Sequence, residues 1–169
     1  MADCAVALSK RCVADEIVEI HAELPDFHYA ILRHDMPDTE IQARFSLPFV
    51  IAACLVHGRL TAGQLADPRA AGKDIWRLID RTHIHQAVPR RPDMNFDPDQ
   101  PDRLRIELVS GKIIEESCAF PRGTPNMPVK RATIMAKYAE NAAPLRVHPE
   151  LVSWISSPDL AAFIDRVTA

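Results

Sequence analysis

Three stretches of this sequence carry side chains that could act on an ionisable substrate. His28 and His34 flank Tyr29, and imidazoles titrate near neutrality, so a loop holding them can exchange protons. No carboxylate stands at a fixed spacing from either, and the plainer reading is a pair of surface or loop-packing histidines. His83 and His85 sit two positions apart, which puts both on one face of a strand. Such a pair can bind metal, but no third ligand lies near them in the sequence, so two solvent-facing residues and no metal site are expected. Arg122 lies in Pro121-Arg122-Gly123-Thr124-Pro125-Asn126-Met127-Pro128. A guanidinium held in so stiff a loop can clamp a carboxylate at two points, or it can simply be an exposed loop arginine. Gly123 reads as a backbone requirement, a position with positive φ or a close approach. Lys137 could pair with a carboxylate, although a solvated helix lysine is simpler. Lys130-Arg131 reads as the basic start of a helix. Cys4, Cys12, Cys54 and Cys118 are scattered and share no ligand spacing with the histidines. Reduced thiols are expected rather than a disulfide framework or a zinc site.

These candidates need elements to hold them. Met1 to Cys12 reads as a short alanine-rich helix. Val18, Ile20, Ala22 and Leu24 alternate with Glu19, His21 and Glu23, the period of a half-buried strand, and Pro25 stops it. Asp26 to Pro37 is expected to hold an irregular second strand. Asp38-Thr39 opens the strongest helical pattern, with Ile41, Phe45, Phe49, Ala52, Ala53 and Val56 on its apolar stripe and Gly58 as its stop. Pro48 should kink or break this helix. Thr61 and Gln64 stand at capping-box spacing, and Asp67-Pro68 is an N-cap followed by a proline suited to a first helical turn. A short strand is expected near Thr82 to Gln86, and Pro89 to Pro101 reads as a loop. Leu104, Ile106 and Leu108 then alternate with charged residues, a two-residue Ser110-Gly111 turn follows, and Lys112 to Phe120 return as the partner strand. Beyond the Pro121–Pro128 loop the pattern is helical, with starts near Val129, His148-Pro149 and Ser157-Pro158. The expected class is α+β: a small mixed sheet with covering helices, followed by a helical C-terminal tail.

Composition narrows the function classes. A net charge of −3 in 169 residues offers no clustered basic footprint for nucleic acid. No apolar run approaches the roughly 20 residues that span a bilayer, and no signal peptide is recognisable at the start. A cytoplasmic soluble protein is expected. The 14 prolines against 5 glycines cut the chain into short elements joined by stiffened loops.

The order of motifs resembles one family. Glu40 to Gly58, EIQARFSLPFVIAACLVHG, is similar to the "eA-F-S-L-P-Y, small residues, L-x-x-G" segment of the MmgE/PrpD enzymes, which include 2-methylcitrate dehydratase. Pro121 to Pro128 resembles that family's "P-x-G-x-P-x-n-P" loop. Lys137-Tyr138 stands where the family has Lys-Phe, and Ile17 to Leu24 where it has a "d-I-x-x-I-x-V" strand. The likeness runs from about Asp3 through nearly the whole chain.

The resemblance implies a C-terminal part only: residues 1–126 as the small α+β domain and residues 127–169 as helices that in the family return to a larger helical domain. It implies dehydration, decarboxylation or epimerisation of small polycarboxylates by general acid–base catalysis, with cationic groups holding carboxylates and with neither an organic cofactor nor an obligatory metal. Arg122, His28 and His34 are the substrate-binding candidates in this part. The family's proton-transferring aspartate and histidines lie mostly in the helical domain, and its "K-x-Y-P-x-C-x-x-x-H" segment precedes the point where this chain starts. Where the family commonly has an active-site tyrosine, this sequence has Phe49, which can neither donate a proton nor hydrogen-bond a carboxylate. The chain is therefore expected to be inactive alone. Its partner is expected to be a second copy or a separate helical-domain chain. The alternative is a non-catalytic domain acting through oligomerisation or partner binding.

Overall fold

Pro25 ends the first strand because it has no N–H to give a sheet ladder, and the regular elements before the next strand are helices. In the computed structural model, residues 1–87 and 96–142 are described. The chain divides into two units, Met1–Asn126 and Met127–Ala169. The first unit opens with helix α1 (Ala2–Leu8), a 3-10 turn (Ala14–Glu16) and strand β1 (Ile17–Pro25). Helices α2 (Asp26–Ile31), α3 (Glu40–Arg44), α4 (Leu47–His57), α5 (Ala62–Ala66) and α6 (Lys73–Asp80) follow. Strand β2 (Thr82–Ala87) and the hairpin β3 (Asp102–Leu108) and β4 (Ile113–Cys118) complete the sheet.

The strand order is β2-β1-β3-β4. β1 runs parallel to β2, whereas the β1–β3 and β3–β4 pairs are antiparallel. Parallel neighbours cannot be joined by a tight turn, and α2 to α6 supply the crossover. A mixed four-stranded sheet with helices is the α+β class expected from the pattern.

Alternation decides the two faces. Ile20 aligns with Ile106 and Ile114, and Ala22 with Leu104, across the registers, and these five and Leu24 are buried. They join Leu8, Ile51 and Leu78 in one apolar cluster. Helix α4 packs against both α1 and α6 and is apolar nearly all round, as a central helix must be. Gly58 closes it in the left-handed region at φ 67° and donates its N–H to Cys54 O at 2.8 Å.

Three local expectations are corrected and one is given its place. Asp26 to Pro37 holds helix α2, not a strand, and the only strand pairing this stretch makes among the described residues is one bridge from Arg33 to Ser46. The run from Thr39 to Gly58 is broken, as Pro48 suggested, but the break falls at Phe45-Ser46. Ser46 recaps the chain by accepting from Phe49 N at 3.3 Å, and Pro48 sits in the first turn of α4, where a missing N–H costs nothing. Asp67 does cap a turn, accepting from Arg69 N and Ala70 N, but that turn is a 3-10 piece and the helix begins only at Lys73. The hairpin loop is three residues, Val109 to Gly111. Leu108 pairs with Lys112, and Gly111 takes φ 76°, the left-handed third position such loops require.

The second unit contributes α7 (Arg131–Ala142) to the described residues. The helix starts expected at His148 and Ser157 lie outside them, as does part of the Pro89–Pro101 loop. No described helix is long and apolar enough to cross a membrane.

Candidate functional site

Two carboxylate-centred groups gather where the loop after β4 meets α1 and α2. Asp3 lies in the first turn of α1 and accepts from Arg122 twice, from its backbone N at 2.8 Å and from its guanidinium Nε. Arg122 thus holds a carboxylate of the chain itself, through one backbone and one guanidinium bond rather than through a two-point guanidinium fork. Burial pushes the Asp3 carboxyl up, but the bonds from Arg122 outweigh that and hold it below the ordinary carboxylate range. The guanidinium remains 56% exposed. Gly123 beside it takes φ 99°, the positive φ expected there.

His28, on α2, turns Nδ1 toward Asp102 Oδ1 at 3.7 Å. The other oxygen of Asp102 accepts from the Met1 nitrogen at 2.7 Å. Burial raises the Asp102 carboxyl, yet the facing imidazole and the Met1 amine bring it below its ordinary value. A histidine oriented by a carboxylate is a competent proton carrier. The cleft beside it, lined by residues including Phe96, Gln100 and Pro121, holds only about 10 Å³. That is scarcely room for one water, so the cleft does not enclose a polycarboxylate.

The other candidates are placed elsewhere. His34 is half-buried, and its backbone N–H goes to Phe45 O at 3.2 Å at the α3–α4 junction. Phe49 is fully buried, its ring edge-on to Trp76 at 6.3 Å. Thus the fold brings His28 and the Arg122 loop together and puts His34 and Phe49 outside that group. Lys137 is exposed on α7. All four thiols are free. Burial pushes Cys4 up to about 12 and Cys54 up to about 11, so both stay protonated and are poor nucleophiles.

The solvent face of the sheet assembles what local sequence spacing could not. His21 lies directly across from His83, and Glu23 across from His85. His21 Nδ1 and His85 Nε2 are 3.1 Å apart, and the His21 ring lies near-parallel to both others, with centroids at 5.2 and 5.4 Å. His83 Nε2 bonds Glu19 Oε2. Arg105 and Glu115 continue the row on β3 and β4. Partial burial, Arg105 and the two neighbouring imidazoles together lower the His21 pKa. His21 was legible only as a polar position of β1, because its partners are on another strand more than 60 residues on. The one usable signal was that β1 and β2 both alternate with histidine on their polar face.

The family model of the MmgE/PrpD C-terminal domain matches residues 1–156. No curated protein matches the chain. The segments that carry the resemblance occupy defined places in the fold: the "S-L-P" residues cap and open central helix α4, and the Pro/Gly loop docks Arg122 on α1. With the match spanning most of the sequence and an α+β fold built around those segments, the chain belongs to the MmgE/PrpD family, as a representative of its C-terminal domain.

Proposed function

We propose that this chain serves as the C-terminal domain of a MmgE/PrpD-type lyase or isomerase acting on small polycarboxylates of the 2-methylcitrate kind. By itself it does not turn them over. The family match carries the assignment. Inactivity alone is supported by the residues at hand. The family's tyrosine position is a buried phenylalanine, Arg122 already holds Asp3, and the cleft at His28 is too small for substrate. When a helical domain is supplied, Arg122 and His28 are the groups that reach toward substrate carboxylates, with His34 nearer the α3–α4 edge. The chemistry is acid–base, with no organic cofactor and no obligatory metal. A cytoplasmic setting belongs to the same reading and agrees with the free thiols.

A second reading, a non-catalytic domain working through self-association or a partner, is favoured by one observation. Ile31, Met36, Ile41 and Phe45 are all exposed along the α2–α3 segment, and exposed apolar side chains favour association. The helical-domain chain of a split enzyme and a second copy would each cover it.

The test is a dehydration assay with 2-methylcitrate and citrate, following the absorbance of the unsaturated product. It is run on the chain alone and on the chain with a co-expressed helical-domain protein of the family. Turnover only in the second case is expected. Turnover by the chain alone that survives Arg122→Ala, His28→Ala and His34→Ala would refute the assignment of the chemistry.

A further inference from the structure

The three imidazoles on the solvent face of the sheet have no part in the chemistry proposed above. They sit on neighbouring positions of two parallel strands: His21 on β1, His83 directly opposite on β2, and His85 two residues on. The pleat points all three the same way. His21 Nδ1 and His85 Nε2 face each other across 3.1 Å. Two nitrogens on a tetrahedral metal, each about 2.0–2.1 Å from it, stand about 3.3 Å apart. The spacing is close to one edge of a coordination polyhedron, with the two nitrogens now facing each other in an imidazole–imidazole contact. The third ring is stacked on the first at 5.2 Å and is about half exposed, so it can rotate. Its Nε2 is bonded to Glu19, the kind of carboxylate partner that orients a metal-binding histidine. As the rings stand, no three His, Cys, Asp or Glu ligands converge among the described residues. Coordination would need the rings to turn onto a shared point, and His83 and His85 are exposed enough to do so.

We propose that His21, His83 and His85 bind a divalent transition-metal ion of the zinc or nickel class on the solvent face of the sheet, with Glu19 orienting His83. Imidazole is a preferred ligand for these ions. The ion would cross-link β1 to β2, the one parallel pair of the sheet, and would bind the folded domain in preference to the unfolded chain.

The experiment is calorimetric titration of the full chain with Zn²⁺ at neutral pH, with thermal melts of the same samples. One ion per chain is expected, with a melting temperature that rises as Zn²⁺ is added. The double variant His21→Gln/His85→Gln, at exposed or half-exposed positions outside the core, should lose both effects while keeping its far-ultraviolet circular dichroism. Glu19→Gln leaves every imidazole in place and should weaken binding about tenfold. In the wild type, Zn²⁺ should shift the ring-proton resonances of these three histidines before any others. An absence of saturable binding, or binding of equal affinity in the double variant, overturns the proposal. The dehydration assay does not enter, so this site and the proposed function stand or fall separately.

Discussion

Under the proposed function, Phe49 stands at a family tyrosine position without that side chain's chemistry. It is fully buried against Trp76 and the apolar cluster around α4, so restoring the family hydroxyl would bury an oxygen with no arranged partner. Phe49→Tyr is expected to destabilise the domain by about 1–3 kcal/mol and to confer no activity on the chain. Phe49→Ala should cost about 3–5 kcal/mol through the cavity it leaves. Urea unfolding midpoints check both. Asp3 allows a pH test. Its folded pKa lies below the ordinary 3.8 because Arg122 stabilises the carboxylate. The pair therefore contributes stability above that ordinary value and loses it as pH falls through the depressed folded one. In unfolding curves measured from neutral pH into acid, Asp3→Asn should be the less stable protein near neutrality, and the gap should close as pH falls.

Among the elements, the hairpin and the capped helices give the sharpest tests. An added Cβ on Gly111 would meet nothing within 4 Å, so Gly111→Ala isolates the backbone cost of φ 76°. That cost is expected at about 1–2 kcal/mol. Thr61 and Gln64 exchange side-chain-to-backbone bonds at 2.7 and 3.4 Å, and Thr61→Ala should cost about 0.5–2 kcal/mol. Both effects are read from denaturation midpoints with an unchanged slope. These elements were legible because their signals are local: a period of two in β1 and β3, a capping box four residues long, a glycine after an apolar stripe. Misreadings came where local signals compete. Aromatic residues in Asp26–Ile31 suggested a strand, but the chain leaves the sheet at Pro25 and folds as a helix. The apolar stripe from Ile41 to Val56 ran through Ser46, which can restart a helix as readily as sit inside one.

For the assembled domain, Ile31, Met36, Ile41 and Phe45 set the expectation. Burying such surface is worth roughly 25 cal/mol per Å², and the purified chain is expected to be a dimer or larger, or to co-purify with a helical-domain protein. A monomeric mass at high concentration in light scattering, with no binding of a hydrophobic dye, would argue against this. The amino-acid order alone settled the α+β class, the places of β1 to β4, most caps and the family, since each rests on periodicity or on residues a few positions apart. The pairing of Arg122 with Asp3, the meeting of His28 with Asp102 and the row of histidines on the sheet could not be read that way. Each joins residues more than 60 positions apart. Strand order and register, set by which apolar faces bury one another, choose such neighbours, and no local spacing encodes them.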